Sequence, residues 1–282
     1  MKVVRKEVRF LNSYAEKVSA LERIIAKHGS GLVAFSGGVD SALVLAASVH
    51  VLGVDPERLI AVTAESASLP PGELAAAKQI ATELGVTHRI VETDEMQREG
   101  YRRNGEDRCY FCKTELYTVL EGLRVELGLA AVFDGFNASD VGDHRPGARA
   151  AQERAVISPL REAGLEKDDV RRRAKELGLT IWDKPSLACL ASRIPHGTRV
   201  EPALLDQVGA AEAFLKSRGF RQVRVRHHGE VARVELEPHE IARAATDERE
   251  AIEAELKRLG YRFVTLDLAG YRTGSLNPVT TK

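Results

Sequence analysis

The sequence predicts an α/β protein: a parallel sheet flanked by helices over residues 1–197, followed by a smaller α+β domain over 198–282. Three observations carry that expectation. Apolar runs at 31–35, 59–64 and 88–93 alternate with helical patterns at 40–53 and 72–85, the order that builds a parallel sheet through crossover helices. A glycine-rich turn, Ser36-Gly37-Gly38, follows the first run directly and opens the first of these helices. Beyond 197 the order becomes helix, hairpin, two helices and a strand, with period-two alternation at 222–227 and 230–236 around His228-Gly229.

Each element has its own warrant. Residues 11–28 place Tyr14, Val18, Leu21, Ile24 and Ile25 on one helical face. The run 59–64 ends in Glu65-Ser66-Ala67-Ser68, and Leu69-Pro70-Pro71 introduces the helix at 72–85. A stretch at 104–127 carries a cysteine pair and then a helix, and 130–134 is a further short strand. Residues 145–152 read as a mobile polar loop, 156–160 return to the core, and a helix at 165–177 ends at Gly178 in a C-cap position. Pro195 to Gly197 reads as a linker. In the second domain helices at 202–218, 239–246 and 248–260 surround the hairpin, and 261–268 is the last strand.

Composition narrows the function classes. The chain has 282 residues, 41 Lys and Arg against 41 Asp and Glu, and a 44% hydrophobic fraction, as expected of a soluble globular protein. Zero net charge is not the basic excess of a nucleic-acid-binding enzyme, although Arg171 to Arg173 and Arg221 to Arg226 are locally basic. No apolar segment is long enough to span a membrane, and residues 1–10 lack a signal-peptide core, so cytoplasm is the expected location. Three cysteines, an odd number, exclude a closed disulfide framework and point to metal, redox chemistry or burial.

The turn after the first strand is built to hold phosphate. Its glycines allow positive φ and close approach of a ligand, and the helix start offers unpaired N–H groups that favour an anion. Ser36 and Ser41 add hydroxyl donors. The stretch lacks the lysine of G-x-x-x-x-G-K-[ST] and does not fit G-x-G-x-x-G. Ser36-Gly37-Gly38-Val39-Asp40-Ser41 instead resembles the pyrophosphate loop of the ATP pyrophosphatases, the PP-loop superfamily of GMP synthetase, NAD synthetase and the tRNA thiolases. That resemblance implies ATP cleaved to AMP and pyrophosphate, and backbone near Ala64 against the adenine. Ligands of open parallel sheets bind beyond the carboxyl ends of the strands, so the loop, 64–68 and 93–95 should line one crevice. At the same edge Asp134-Gly135-Phe136-Asn137 leads to Asp140 and Asp143; Asp134, Gly135 and Asn137 are candidates for the nucleotide, Asp40 and Asp140 for Mg²⁺, and an ordinary solvated turn is the alternative.

Cys109-x-x-Cys112 alone leaves a redox pair, a zinc site short of its fourth ligand, and two half-buried thiols open. Its flanks say more. Arg108-Cys109-Tyr110-Phe111-Cys112-Lys113 and the segment from Pro185-Ser186-Leu187-Ala188-Cys189 through Ser192-Arg193 to Gly197, with the phosphate loop, resemble the LarE family over nearly the whole chain. LarE proteins are ATP-dependent sulfur transferases that build a nickel-pincer nucleotide. The resemblance implies adenylylation of a carboxylate of pyridinium-3,5-dicarboxylate mononucleotide, then displacement of AMP by sulfur to leave a thiocarboxylate. In one branch of the family a lone cysteine matching Cys189 gives up its own sulfur; in the other, three cysteines hold a [4Fe-4S] cluster whose open iron carries a replaceable sulfide. Cys109, Cys112 and Cys189 meet the ligand count of the second branch, which needs a sulfide donor.

The same resemblance implies roles for Arg224, Arg226 and Glu212, and two residues beside Cys189 are further candidates. Arg224 and Arg226, alternating on a strand, would take substrate phosphate, with Glu212 a weaker candidate; a solvated strand face is the alternative. Ser192 and Arg193 would orient substrate or nucleophile. A homohexamer is implied by the family only. Competing expectations are a tRNA thiolase, for which no RNA-binding module is evident, an NAD- or GMP-synthetase-like amidating enzyme, and a non-catalytic nucleotide sensor. The geometric expectation is that the three thiols converge and face the crevice of the phosphate loop.

Overall fold

The structure is a computed structural model that describes residues 13–140, 146–185 and 188–272. Two compact units emerge. The first combines the segment ending at Ala64 with Ala76–Val91 and Tyr117–Lys184; the second combines Glu65–Ala75, Glu92–Leu116 and the segment from Pro185 onward.

The first unit begins with α1 (Tyr14–His28), whose start is fixed by a capping box between Ser13 and Glu16. Strand β1 (Gly31–Ala34) leads to α2 (Val39–Leu52), β2 (Leu59–Glu65), α3 (Glu73–Glu83) and β3 (His88–Glu92). Helix α4 (Arg108–Glu126), whose residues up to Leu116 belong to the second unit, precedes β4 (Ala131–Phe133), α5 (Pro146–Glu153) and α6 (Lys167–Glu176). The sheet order is β3-β2-β1-β4, with β1 parallel to both β2 and β4. The chain therefore reverses direction across the sheet at β1, the position where open parallel sheets leave a ligand crevice. Leu32, Val33 and Leu43 to Leu45 are wholly buried, which explains why β1 and α2 are apolar without a polar face.

The second unit carries α7 (Pro202–Ser217), the antiparallel pair β5 (Arg224–His228) and β6 (Val231–Glu235), α8 (Arg249–Arg258), and β7 (Phe263–Leu266), which pairs parallel with β6. Leu215, Phe220, Val225, Val234 and Leu256 form one core. Tyr101, Leu190, Ile194, Val200, Leu205 and Val208 form another, against which Cys112 and Cys189 pack.

Four expectations change. Residues 146–153 are a helix rather than a loop, because Ala150 and Ala151 are buried and anchor one face despite the polar composition. Helix α4 starts at Arg108, so both cysteines of the pair lie within it rather than before it. Pro195 to Gly197 is not a free linker: Gly197 N donates to Asn104 O at 3.1 Å, between the buried Ile194 and Val200. A boundary at 197 also cuts across the second unit, since Leu190 and Ile194 share a core with Leu205 and Val208 of α7. Leu11, Asp143, Ser186 and Leu187 lie outside the described residues.

Candidate active site

The phosphate loop sits at the carboxyl end of β1 and is held by its own serines. Ser36 N donates to Ser41 Oγ at 3.2 Å, Ser41 Oγ donates to Gly38 O at 3.1 Å, and the two hydroxyls lie 3.1 Å apart. Gly37 has φ +71°, a left-handed conformation that suits glycine, and a Cβ there would lie 3.2 Å from Ala77 Cβ. Gly38 caps α2 with no side-chain hydrogen bond, leaving the first amides of that helix to a ligand. Behind the loop, Thr63 donates its hydroxyl proton to Phe35 O at 2.6 Å, so the 2.8 Å contact with His88 Nε2 is a donation from the ring.

The loop after β4 packs onto this turn. A Cβ on Gly135 would sit 2.9 Å from Ser41 N, so only glycine allows the approach. Asn137 Nδ2 donates to Asp40 Oδ1 at 3.0 Å, and Lys167 pairs with Asp40 Oδ2. Asp134 is buried and accepts from Tyr117 Oη at 2.8 Å; Asp140 accepts from Asn137 N at 3.0 Å. Lys184 Nζ donates to Gly37 O at 3.2 Å. Sequence reasoning named Asp40, Asp134, Gly135 and Asn137 but missed Tyr117, Lys167 and Lys184, which come from remote segments. Both oxygens of Asp40 are engaged by protein groups, and Asp140 serves as a local turn acceptor. Half-buried Ala64 ends the buried part of β2. A cavity of about 430 Å³ is lined by Glu65, Ser66, Ala67, Glu92, Thr93, Asp94 and Glu115, which joins the ends of β2 and β3; the phosphate loop is not part of its lining.

All three cysteines belong to the second unit and are free thiols. Cys109 and Cys112, three apart near the start of α4, share a helix face. Cys189 immediately precedes a single 3₁₀ turn, Leu190–Arg193, and Leu190 N is tied to Ser68 O at 2.9 Å. Burial pushes the Cys112 thiol up to about 12, with Cys189 and Glu95 adding to the rise and Lys113 opposing it. Cys109 reaches solvent, yet desolvation by the surrounding protein raises it too, reinforced by Cys189 and opposed by Arg108. The thiols thus feel one another. Among the described residues, the only three metal-ligating side chains with donor atoms all within 4.8 Å are Glu237, His239 and Glu240. The cysteines are spread more widely than one ion requires. Beside them Ser68 Oγ donates to Glu95 Oε1 at 2.8 Å and meets the Tyr101 hydroxyl; all three are buried, Ser68 and Glu95 come from the two segments expected at the crevice, and Tyr101 carried no sequence signal.

Arginines and glutamates frame the Cys189 segment. Arg193 is fully buried; its Nε and Nη2 bind both oxygens of Glu212 at 2.8 Å, while Nη1 donates to Ala188 O, Cys189 O and Ser192 Oγ. Glu212 Oε1 also accepts from Val225 N at 3.0 Å, joining α7 to β5. Arg226 donates to Ser192 O at 3.0 Å and to Glu235 Oε2 at 2.9 Å. Arg224 donates to Val223 O at 2.7 Å and lies over the Tyr271 ring. Burial lowers the Arg224 pKa, and the nearby Arg193 guanidinium lowers it further. Arg224 and Arg226 are buried, which removes the solvated-strand alternative. Three buried guanidiniums, Arg193, Arg224 and Arg226, lie among two buried carboxylates, Glu212 and Glu235. Arg193 and Glu212 hold the Cys189 backbone rather than presenting free groups. Glu235, on the facing strand, had no local signal in the sequence.

Comparison with known proteins adds independent findings. A family model described as NAD synthase matches residues 3–111. The pyridinium-3,5-bisthiocarboxylic acid mononucleotide synthase of Lactiplantibacillus plantarum is 40% identical over 250 residues, spanning 89% of this chain and 90% of its own. An uncharacterized protein of Synechocystis sp. is 42% identical over 268 residues, spanning 94% of this chain and 98% of its own. A further uncharacterized protein, from Methanocaldococcus jannaschii, is 25% identical over 273 residues, spanning 97% of this chain and 100% of its own.

Proposed function

This chain belongs to the LarE family of ATP-dependent sulfur transferases, and on that premise we propose that it adenylylates a carboxylate of a pyridinium-3,5-dicarboxylate mononucleotide and replaces the oxygen by sulfur. The observation that carries the proposal is the second unit's pairing of three interacting thiols with a positively charged, buried arginine set. In the first step a substrate carboxylate oxygen attacks the α-phosphorus of ATP, the bond to pyrophosphate breaks, and an acyl-adenylate forms. The free amides at the start of α2, with Ser36 and Ser41, stabilise charge on the departing pyrophosphate. Lys184, held at Gly37 O, adds positive charge at the same turn, and Mg²⁺ accompanies the nucleotide. Arg224 and Arg226 receive the mononucleotide's phosphate. In the second step sulfur adds to the activated carboxyl carbon, and the carbon–oxygen bond to AMP breaks.

The donor set fits a [4Fe-4S] cluster: three free thiols in one unit, spaced beyond the reach of a single ion, with Arg108 opposing the rise of Cys109. Cys109, Cys112 and Cys189 would hold it, and when bound it would supply a replaceable sulfur for repeated turnover. Arg193 fixes the carbonyls of Ala188 and Cys189, so the backbone that carries the third thiol is held in place. A sulfide donor, a cytoplasmic setting and a homo-oligomer, a hexamer by resemblance, complete the proposal. Among the described residues no helix is long and apolar enough to cross a membrane.

Anaerobic purification with iron and acid-labile sulfide analysis, followed by incubation with ATP, the dicarboxylate mononucleotide and excess inorganic sulfide, tests the scheme. AMP, pyrophosphate and thiocarboxylate in excess over enzyme are expected. Iron-free protein that works once and loses sulfur from Cys189 would establish the sacrificial route instead, and absence of pyrophosphate release would remove the activity altogether.

A further inference from the structure

One buried asparagine ties the cysteine pair to the third cysteine's segment. Asn104 is wholly buried with φ +56°, a left-handed conformation that asparagine tolerates better than most residues. Its Nδ2 lies 2.8 Å from Pro195 O, 2.9 Å from Thr198 O and 3.3 Å from Ile194 O, and its own carbonyl accepts from Gly197 N at 3.1 Å. Its Oδ1 accepts from Arg108 Nη1, which also donates to Ala191 O at 2.9 Å. Arg108 is the residue before Cys109, and Ala191 lies two residues past Cys189. The side chains of Asn104 and Arg108 thus span from the start of α4 to four backbone carbonyls between 191 and 198.

Arg108 has a second property. It is 6% exposed, and its Nε has no hydrogen-bond partner among the described residues. A buried cation with an idle donor is costly unless an anion completes it. The groups acting on its charge include Cys189 and Cys109.

We propose that Asn104 and Arg108 are positioning residues of the sulfur centre: together they hold Cys189 in register with Cys109 and Cys112, and the Arg108 guanidinium is the buried counter-charge of the thiolate set. This rests on the three-cysteine reading above. Outer partners of this kind set metal affinity by about 10–100-fold.

The test compares the full-length protein with Asn104→Gly, Arg108→Met and Arg108→Lys. Glycine keeps the left-handed backbone, so Asn104→Gly removes the amide contacts with little added strain. After anaerobic reconstitution, iron retention against a chelator should fall about tenfold or more in Asn104→Gly and Arg108→Met. The cluster's midpoint potential should move to more negative values in Arg108→Met, because a positive charge is lost, and return in Arg108→Lys. Unchanged retention and potential in both losses overturn the proposal. Wild-type protein that takes no iron removes the cluster reading alone, and the clamp is then read from iron-free protein. There a short bis-maleimide should bridge Cys189 to the Cys109–Cys112 pair in the wild type, about tenfold faster relative to single-thiol labelling than in Asn104→Gly. Equal ratios, or no bridge in the wild type, overturn the clamp.

Discussion

Arg193 commits all three nitrogens of its guanidinium to groups of its own chain, and that explains why a charged side chain can be wholly buried beside the reactive segment. Lysine cannot reproduce the fork, so Arg193→Lys leaves Glu212 half-paired in the interior. The expected loss is about 3–5 kcal/mol of unfolding free energy, read from urea denaturation, with sulfur transfer lost together with it. Gly37 is the corresponding residue of the phosphate turn. Gly37→Ala forces an L-residue into the left-handed region at about 1–2 kcal/mol and crowds Ala77, so pyrophosphate release should fall while the thiols remain equally reactive to alkylation. Both residues stand in motifs quoted from the sequence. Other residues around the two sites do not: Asn104, Lys167, Lys184 and Glu235 act across 60 or more residues or across a strand pair, and long-range pairing leaves no local periodicity to read.

At the level of elements, the approach of the β4 loop to the start of α2 decides how well the phosphate amides are aimed. Gly135→Ala places a methyl group 2.9 Å from Ser41 N, so the helix start must move. A displacement of about 1 Å can cost on the order of 100-fold, and the expected effect is a drop in kcat/KM for ATP of up to that size. Strands β1 to β4 and the hairpin were legible because their apolar periods are set by burial on a sheet. Helix α5 was not, because Pro146, Gly147 and Arg149 mimic a loop and only the buried alanine face reveals it. The start of α4 was misjudged for a similar reason: cysteines do not announce a helix, and the core formed with Leu190 and Tyr101 supplies what propensity does not.

For the whole molecule, burial makes stability depend on pH. Desolvation holds His88 and His227 below the ordinary 6.5, so the folded chain resists protonating them. Once pH falls below about 6.5, the unfolded chain binds more protons than the folded one, and stability declines with acidification. Urea midpoints should therefore be lower at pH 5.5 than at pH 7.5, and His88→Asn should reduce the difference; equal midpoints in the parent protein would contradict the histidine account. The two units also make a prediction about dissection. A chain ending at 197 lacks α7 and so strips Leu205 and Val208 from Leu190 and Ile194. It should lose cooperative melting, as circular dichroism against temperature would show.

The interleaving of the units has a consequence for the order of synthesis. The chain passes from one unit to the other at 64/65, 75/76, 91/92, 116/117 and 184/185, so the first unit lacks a segment until Lys184 has been made. Cys112 is translated 77 residues (189 − 112) ahead of Cys189. At about 5–20 residues per second that is roughly 4–15 s during which the cysteine pair waits on the ribosome without its third thiol. Any group that needs all three must be installed after that interval, on a chain whose first unit already has its last segment.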